Sequence, residues 1–373
     1  MRVFWRLKFT DCSAAVISLP FMSTAALSPS SSKTALDYVR LRAVFFPHWA
    51  MWALPSFVLA VCALIELTTP RITVAHQGYL VIFFWFPTAM VLMAWRYFRF
   101  QTFDWFLHRL WGVMLLFLWI NYTINAVALF SHMMFAQKFP DITDALQAAD
   151  VALGFNWNAY AHFMHDNYWP NLIFSNAYAD LTMSGIMLTP IIALMRNERV
   201  RLMEICFLML TTALSCVSIA GFFPAFAATD KFADAEILRT IAATGHHYLV
   251  NTAQSLHVLR ESAHVVIDPR TTDGLVCFPS FHCCMALIII YSNRGLGWFS
   301  AIAALVGLSI IAATPVYGGH YVVDVIVGAA ITGLLILVWR TYFAHRTAPL
   351  LPGTSAQDFA LPAFFKQRRF RES

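Results

Sequence analysis

The chain has 373 residues, of which 59% are hydrophobic and only 12% are charged, with a formal net charge of +5. This apolar content exceeds what the core of a soluble domain of this size can hold, so the composition excludes a soluble globular protein. The basic residues lie at the ends of the apolar runs, which indicates membrane topology rather than a nucleic-acid-binding surface.

The apolar runs predict membrane-spanning helices. A hydrocarbon core about 30 Å thick needs about 20 helical residues, and only helices and closed barrels satisfy their own backbone in lipid. The runs are continuous and lack the alternation that a barrel strand requires. We therefore predict an all-α, polytopic membrane helical bundle. Its eight predicted spans are 50–67, 79–95, 110–130, 171–194, 203–226, 280–293, 297–315 and 321–341.

The first 48 residues are mixed, with basic residues around a small-residue stretch at 14–26. A basic start before a short apolar region is typical of a secretory signal. Pro20 and the Lys and Arg residues that follow favour an uncleaved cytoplasmic or interfacial arm instead. The predicted organisation is a cytoplasmic arm at 1–48, two additional transmembrane helices at 49–109, a six-helix core at 110–342 and a basic cytoplasmic tail at 343–373.

Lysine and arginine are distributed unevenly among the connections. They crowd the loops 96–109 and 195–202 and the turn 294–296, whereas the loop 131–170 balances its lysine with acidic residues. Because cytoplasmic loops carry an excess of cations, both termini are predicted to be cytoplasmic. The loops before the sixth and the eighth span then both face outward.

Each of these two outward loops carries a histidine motif. The segment 278–282 reads FPSFH and the segment 318–324 reads GGHYVVD. Pro279 suits the first turn of a helix, where free backbone amides favour an anion such as phosphate. His320 and Asp324 are four residues apart, so a helix would place them on one face, where the carboxylate can orient the imidazole.

Two histidines and a carboxylate at one membrane face suit phosphoryl transfer, in which one histidine attacks phosphorus and the other protonates the leaving oxygen. Either motif alone is typical of a capping or interfacial residue. The pair favours a functional site, because ionisable groups inside membranes are functional by default. Two alternatives stay open. The same groups could form a proton relay or headgroup clamp in a non-catalytic transporter or lipid-binding protein, or they could bind a metal, although no third histidine or cysteine pair has ligand spacing nearby.

The two motifs resemble the second and third signature motifs of the type 2 phosphatidic acid phosphatase superfamily, and more closely those of its branch of inositol phosphorylceramide synthases. The resemblance covers approximately residues 110–342. It implies a membrane-lipid phosphatase or phosphotransferase in which His320 forms a phosphohistidine, Asp324 orients it and His282 is the general acid. It also implies that Ser280 hydrogen-bonds the phosphate and that no metal or other cofactor is required.

The sequence departs from the family pattern around the phosphate. Phe281 stands where the common motif has glycine, although bulky residues occur there in the synthase branch. Ala313 and Thr314 replace the usual Ser-Arg pair, and the first family motif has no match in the expected region. A dianionic phosphate still needs cations. From the outward placement of their loop, we predict Arg260 first and Arg270 second as phosphate-binding residues.

The remaining residues carry weaker expectations. We predict a polar interfacial helix face rather than a metal site for His162, His165 and Asp166, and an exposed loop pair for His246 and His247. The cysteines lie mostly in apolar runs and are predicted to be small buried hydrophobes. The expected setting is a bacterial inner membrane, with the site facing the periplasm. The sequence specifies neither the lipid headgroup nor the oligomeric state.

Overall fold

The computed structural model describes residues 49–75, 88, 105–196, 198–244, 247–268 and 274–344. Within these ranges the regular structure is helical apart from two short strands, which confirms the predicted all-α bundle. The predicted N-terminal arm, the predicted span at 79–95 and nearly all of the basic tail lie outside the described residues.

The helices are numbered here in chain order over the described residues. They are α1 (Trp49–Thr68), α2 (Trp105–Phe135), α3 (Thr143–Ala152), α4 (Trp157–Asp166), α5 (Tyr168–Asn176), α6 (Thr182–Met195), α7 (Arg199–Phe222), α8 (Ala228–Phe232), α9 (Ala235–Thr244), α10 (His247–Glu261), α11 (Phe281–Ser292), α12 (Trp298–Tyr317) and α13 (Val322–Val338). A π-helical turn at Ala177–Leu181 joins α5 to α6, and another at Trp339–Phe343 follows α13.

Six helical stretches of the described chain are long and apolar enough to cross a membrane. They are Met51–Thr68, Gly112–Phe135, Tyr168–Met195, Arg199–Phe222, Trp298–Tyr317 and Val322–Phe343. Each overlaps a predicted span, so the chain is an integral, multi-pass membrane protein. The span predicted at 203–226 ends early, at Phe222. Pro224 follows closely, and a proline disfavours helical backbone in the residue before it.

The short strands β1 (Ile72–Val74) and β2 (Val265–Ile267) pair in parallel, with Ile72 opposite Val265. They fasten the segment after α1 to the segment after α10. Arg71 strengthens this junction, because its guanidinium donates to the carbonyl oxygens of Leu259 at 2.6 Å and of Ser262 at 2.8 Å. Carbonyls at the end of a helix lack partners within the helix, so an arginine is well suited to this position.

Helix α11 is shorter than the other apolar helices and packs against α6, α7, α12 and α13. Its 12 residues extend only about 18 Å, less than the thickness of a hydrocarbon core. The tight turn 293–297 joins it to the 20-residue α12. Since the two helices run antiparallel from this turn, α11 begins short of the level at which α12 ends. The first histidine motif therefore lies inside the bundle rather than at its rim.

Charged residues pair with one another at the opposite end of α11. Arg294, in the turn after the helix, donates from Nη2 to Oε2 of the buried Glu204 at 2.8 Å. Glu198 forms ion pairs with Arg196 at 2.6 Å and with Arg201 at 2.9 Å. Two of the basic connections used to predict the topology thus lie at the same end of the bundle, and α11 separates them from the histidine motifs.

Candidate active site

His320 lies in the turn between α12 and α13. Its Nδ1 is 3.2 Å from Oδ2 of Asp324, and the side chains are only 2% and 0% exposed. The same Oδ2 accepts the backbone N–H of Tyr321 at 2.9 Å. A carboxylate can only accept, so Nδ1 carries the hydrogen. Nε2, on the far side of the ring from Asp324, then carries the lone pair.

The contact between His320 and Asp324 has a different origin from the one predicted. His320 is not helical, because α13 begins at Val322. Asp324 is the third residue of α13 and folds back over the helix start, where it accepts the free N–H of Tyr321. A carboxylate is favoured at this place by the exposed amides and by the positive end of the helix dipole. Helix capping, rather than two side chains on one helix face, produces the pair.

Two glycines shape the backbone before His320. Gly319 has a φ of +64°, in the left-handed region that favours glycine. Gly318 has no room for a side chain, because a Cβ atom there would lie 2.7 Å from Cδ2 of His320, from the carbonyl oxygen of Thr314 and from Oη of Tyr178. The backbone at Gly318 therefore passes close to the ring of His320.

His282 is the second residue of α11, and its ring lies against Tyr178. The ring centroids are 4.1 Å apart and nearly stacked, and Tyr178 Oη is 3.0 Å from Nδ1 of His282. The centroids of His282 and His320 are 6.4 Å apart. The structure therefore brings the two motif histidines together, close enough for both rings to contact one small group. Tyr178 belongs to the π-helical turn at Ala177–Leu181, a distortion that is frequent at functional sites.

Ser280 connects the two motifs. It is fully buried and is the N-cap of α11, with Oγ accepting the N–H of Cys283 at 3.3 Å. Its own N–H donates to the carbonyl oxygen of Asp324 at 3.1 Å. Pro279 was predicted within the first turn of the helix but precedes the cap, because serine is the better N-cap. The hydroxyl proton of Ser280 can still be donated to a ligand.

Asp150, near the end of α3, is a site residue that sequence reasoning missed. It is fully buried, and its two oxygens accept the N–H groups of Val322 at 2.8 Å and Val323 at 3.0 Å. These are the first amides of α13, which have no partner within their helix. Asp150 and Asp324 thus occupy the start of α13. At the start of α11, Ser280 Oγ takes the N–H of Cys283, whereas the N–H groups of Phe281 and His282 have no hydrogen-bond partner among the described residues and stay available to an anion.

Arg260, the first of the predicted phosphate-binding arginines, contacts another part of the described chain. Arg260 donates from Nη2 to the carbonyl oxygen of Phe139 at 3.0 Å, and its buried Nη1 has no hydrogen-bond partner among the described residues. Arg270 lies outside the described residues. Within the described ranges, no lysine or arginine forms a hydrogen bond or ion pair with His282 or His320.

Thr314 occupies the position at which the family pattern has arginine. Its side chain is fully buried, and its hydroxyl donates to the carbonyl oxygen of Ile310 at 2.7 Å. The hydroxyl is thus satisfied within α12. The nearby ring of Trp157 donates from Nε1 to the carbonyl oxygen of Pro315 at 3.1 Å, which ties α4 to the end of α12. This region packs as a core rather than as a charged pocket.

Two of the three residues of the predicted interfacial face on α4, His162 and Asp166, contact each other, whereas His165 has a different partner. His162 lies between two carboxylates, with Nε2 2.8 Å from Asp234 and Nδ1 3.3 Å from Asp166. The hydrogen bond to Asp234 is the main reason that the pKa of His162 is raised from its ordinary value. His165 instead packs edge-on against Tyr317, at 5.3 Å between ring centroids. His246 lies outside the described residues.

Cys277 is also close to the histidine pair. Its Sγ lies 3.8 Å from Oδ2 of Asp324, and one ligand atom from each of Cys277, His320 and Asp324 falls within 4.8 Å of the others. These three residues could hold a metal ion. Spacing in the sequence did not reveal the group, because Cys277 precedes α11 whereas the other two flank the start of α13.

Comparison with known proteins agrees with this arrangement. The family model described as PAP2 superfamily matches residues 144–338, more than half of the chain. The matched region contains both histidine motifs and also Asp150 and Tyr178. No curated protein and no solved structure matches the chain. On the family match, the chain belongs to the PAP2 superfamily.

Proposed function

We propose that the protein is a lipid phosphatase or phosphotransferase that works through a phosphohistidine on His320. The observation that carries the proposal is the buried pair of His320 and Asp324, with His282 at a centroid distance of 6.4 Å. A buried carboxylate that fixes the imidazole tautomer is the usual way to present a histidine as a nucleophile.

In the first step Nε2 of His320 attacks phosphorus and the bond from phosphorus to the leaving oxygen breaks. The leaving oxygen takes the electron pair together with a proton from His282. Asp324 stabilises the positive charge that develops on the His320 ring, through its contact with Nδ1. Tyr178 holds the His282 ring through Nδ1, so Nε2 of His282 is the nitrogen that delivers the proton.

In the second step His282, now neutral, takes a proton from an acceptor hydroxyl. The acceptor oxygen attacks phosphorus, the bond from phosphorus to Nε2 of His320 breaks, and the neutral imidazole is restored. Water as the acceptor gives a phosphatase, whereas an alcohol gives a transferase. The histidine motif at 278–282, with Phe281 before His282, favours a transferase similar to inositol phosphorylceramide synthases.

The proposed substrate is a phospholipid or sphingolipid headgroup reached from the outer membrane face. The first amides of α11 and the hydroxyl of Ser280 would bind the phosphate oxygens. Arg260 and Arg270 stay the proposed sources of cationic charge. The proposed location is a bacterial inner membrane with the site towards the periplasm, and the proposed chemistry needs no metal ion.

The test uses the purified full-length protein with phospholipids and sphingolipids whose headgroup phosphate is labelled. The wild type should form a covalent phosphoenzyme, which His320→Ala should lose. Turnover by His320→Ala should fall by more than about 10⁴-fold, beyond what loss of acid–base catalysis alone produces. His162→Ala, an exposed histidine of α4, is the control and should keep both signals. EDTA should leave the wild-type activity unchanged.

The role of His282 can be separated from that of the nucleophile. His282→Gln should turn over a lipid about 10²- to 10⁴-fold more slowly. It should nevertheless form the phosphoenzyme from a nitrophenyl phosphoester, whose leaving oxygen needs no proton. Equal loss with both substrates would contradict the acid role.

A non-catalytic transporter or lipid-binding protein would give a different result. In that case His320→Ala, correctly folded, would leave all phosphoester turnover of the preparation intact. Adding candidate alcohol acceptors then distinguishes the two enzymatic forms. Steady release of inorganic phosphate without an alcohol would refute a strict transferase.

A further inference from the structure

The thiol of Cys277 is placed where it can act together with the histidine pair. Cys277 Sγ lies 3.8 Å from Oδ2 of Asp324, the oxygen that contacts His320 Nδ1 at 3.2 Å. Sulfur, nitrogen and oxygen thus meet around one point, all within 4.8 Å of one another. They come from three separate places in the chain: the loop before α11, the turn after α12 and the first turn of α13.

The spacing of these atoms fits a tetrahedral metal ion. Zn²⁺ binds sulfur at about 2.3 Å and nitrogen or carboxylate oxygen at about 2.0–2.2 Å, so the ligand atoms of a tetrahedral site lie about 3.3–3.6 Å apart. The distances of 3.2 Å and 3.8 Å in the structure are close to these values. These two contacts need shifts of only a few tenths of an ångström. The third pair of ligand atoms, on Cys277 and His320, lies within 4.8 Å, so it must close by at most about 1.2 Å to reach bonding geometry.

Burial and charge also favour a cation here. Asp324 is fully buried, and its Oδ1 has no hydrogen-bond partner among the described residues. Burying a carboxylate with an unpaired oxygen is costly, and a cation bound to the same carboxylate through Oδ2 offsets that cost. Cys277 is only partly buried. A thiolate together with an imidazole selects Zn²⁺ over Mg²⁺ or Ca²⁺.

We propose that Cys277, His320 and Asp324 form an inhibitory Zn²⁺ site at the catalytic centre. The ion replaces the thiol proton of Cys277, which is released to solvent, and binds His320 through Nδ1 once the hydrogen of Nδ1 has moved to Nε2. The single remaining ring proton then resides on Nε2, so the nucleophilic lone pair is lost. Asp324, as a ligand of the ion, also no longer accepts a hydrogen bond from the His320 ring. This inference rests on the proposed nucleophilic role of His320, whereas the ligand set itself does not.

The test begins with metal binding, independent of activity. The purified full-length protein is titrated with Co²⁺, which reports a tetrahedral thiolate site by its charge-transfer absorption, and Zn²⁺ is then added. The wild type should bind one Co²⁺ with this absorption, and Zn²⁺ should displace it. Cys277→Ala should lose the absorption, whereas Cys206→Ala, a fully buried cysteine of α7, should keep it.

Inhibition is measured next, relative to the metal-free activity of each variant. Half-inhibition should need at least 10-fold more Zn²⁺ in Cys277→Ala than in the wild type or Cys206→Ala. Absence of a thiolate band in the wild type, or equal inhibition of Cys277→Ala, overturns the inference. If the wild-type band depends on Cys277 but the protein has no phosphoester turnover, the metal site stands and the proposed function fails.

Discussion

Replacement of Asp150 tests whether the start of α13 is held in place from outside its own helix. Asp150→Ala removes both acceptors from the N–H groups of Val322 and Val323, and Asp150→Asn keeps one oxygen acceptor. His320 and Asp324 flank these two amides. Loosening them should therefore disturb the histidine pair as well as the stability of the helix start.

The magnitude follows from the two hydrogen bonds. A hydrogen bond to a charged group contributes about 1.5–3 kcal/mol, so the two together contribute about 3–6 kcal/mol to the free energy of unfolding. Asp150 is fully buried, so solvent does not reduce these values greatly. Asp150→Asn keeps one acceptor and should lose about half. The expected order of stability is wild type, then Asp150→Asn, then Asp150→Ala.

The assay combines thermal unfolding in detergent with kinetics on a lipid phosphoester. Asp150→Asn should lower kcat by about 10-fold or more with little change in KM, because Asp150 acts on the position of the nucleophile rather than on substrate binding. Asp144→Asn is the control, since Asp144 lies on the same helix, is exposed and pairs with Lys231. A normal melting temperature and normal kcat for Asp150→Ala would refute the reasoning.

Three further results are expected. Gly318→Ala should lower turnover by at least 100-fold, because the added Cβ would meet the ring of His320, the proposed nucleophile. Gly274→Ala, with open space around it, should not lower turnover. Similar effects of both changes would contradict this reasoning. Tyr178→Phe should lower kcat by about 5-fold, because it removes one hydrogen bond, worth about 1 kcal/mol, to the proposed general acid His282. Unchanged kcat and pH profile would argue against it. The pKa of His162 is raised in the folded state. Its ion pair with Asp234 is therefore complete below the unfolded-state pKa of about 6.5, and it is lost as the pH rises through the higher folded-state pKa. Hydrogen-exchange protection of α9 should therefore fall with rising pH in the wild type, and a fall of the same size in His162→Gln would refute the link.

The membrane topology could be predicted because it depends on local properties. Apolar length and the position of basic residues are read directly from the chain, and hydrocarbon permits few alternatives to a helix. The short α11 is placed by its packing against four neighbouring helices rather than by its own length. Local hydropathy predicts an apolar helix here but does not show which helices it packs against.

The candidate site could be predicted in part. The two motifs alone indicated His282, His320, Asp324 and Ser280, because all four residues lie within the two short segments 278–282 and 318–324. Arg260 was inferred only from its side of the membrane, and its role in binding phosphate stays a prediction. In the structure its Nη2 donates to the carbonyl oxygen of Phe139. Sharing a membrane face constrains depth but not position within that face.

The sequence by itself determined the all-α class, most of the described spans and the two histidine motifs, because each depends on residues near one another in the chain. Only the tertiary structure brought in Asp150, Tyr178 and Cys277. Asp150 reaches its amide partner across 172 residues, and Tyr178 meets His282 across 104 residues. No spacing rule covers such distances, because the contacts are set by how the helices pack. The tertiary structure thus shows what holds the start of α13 beside His320, what contacts the ring of His282 and which thiol lies next to Asp324.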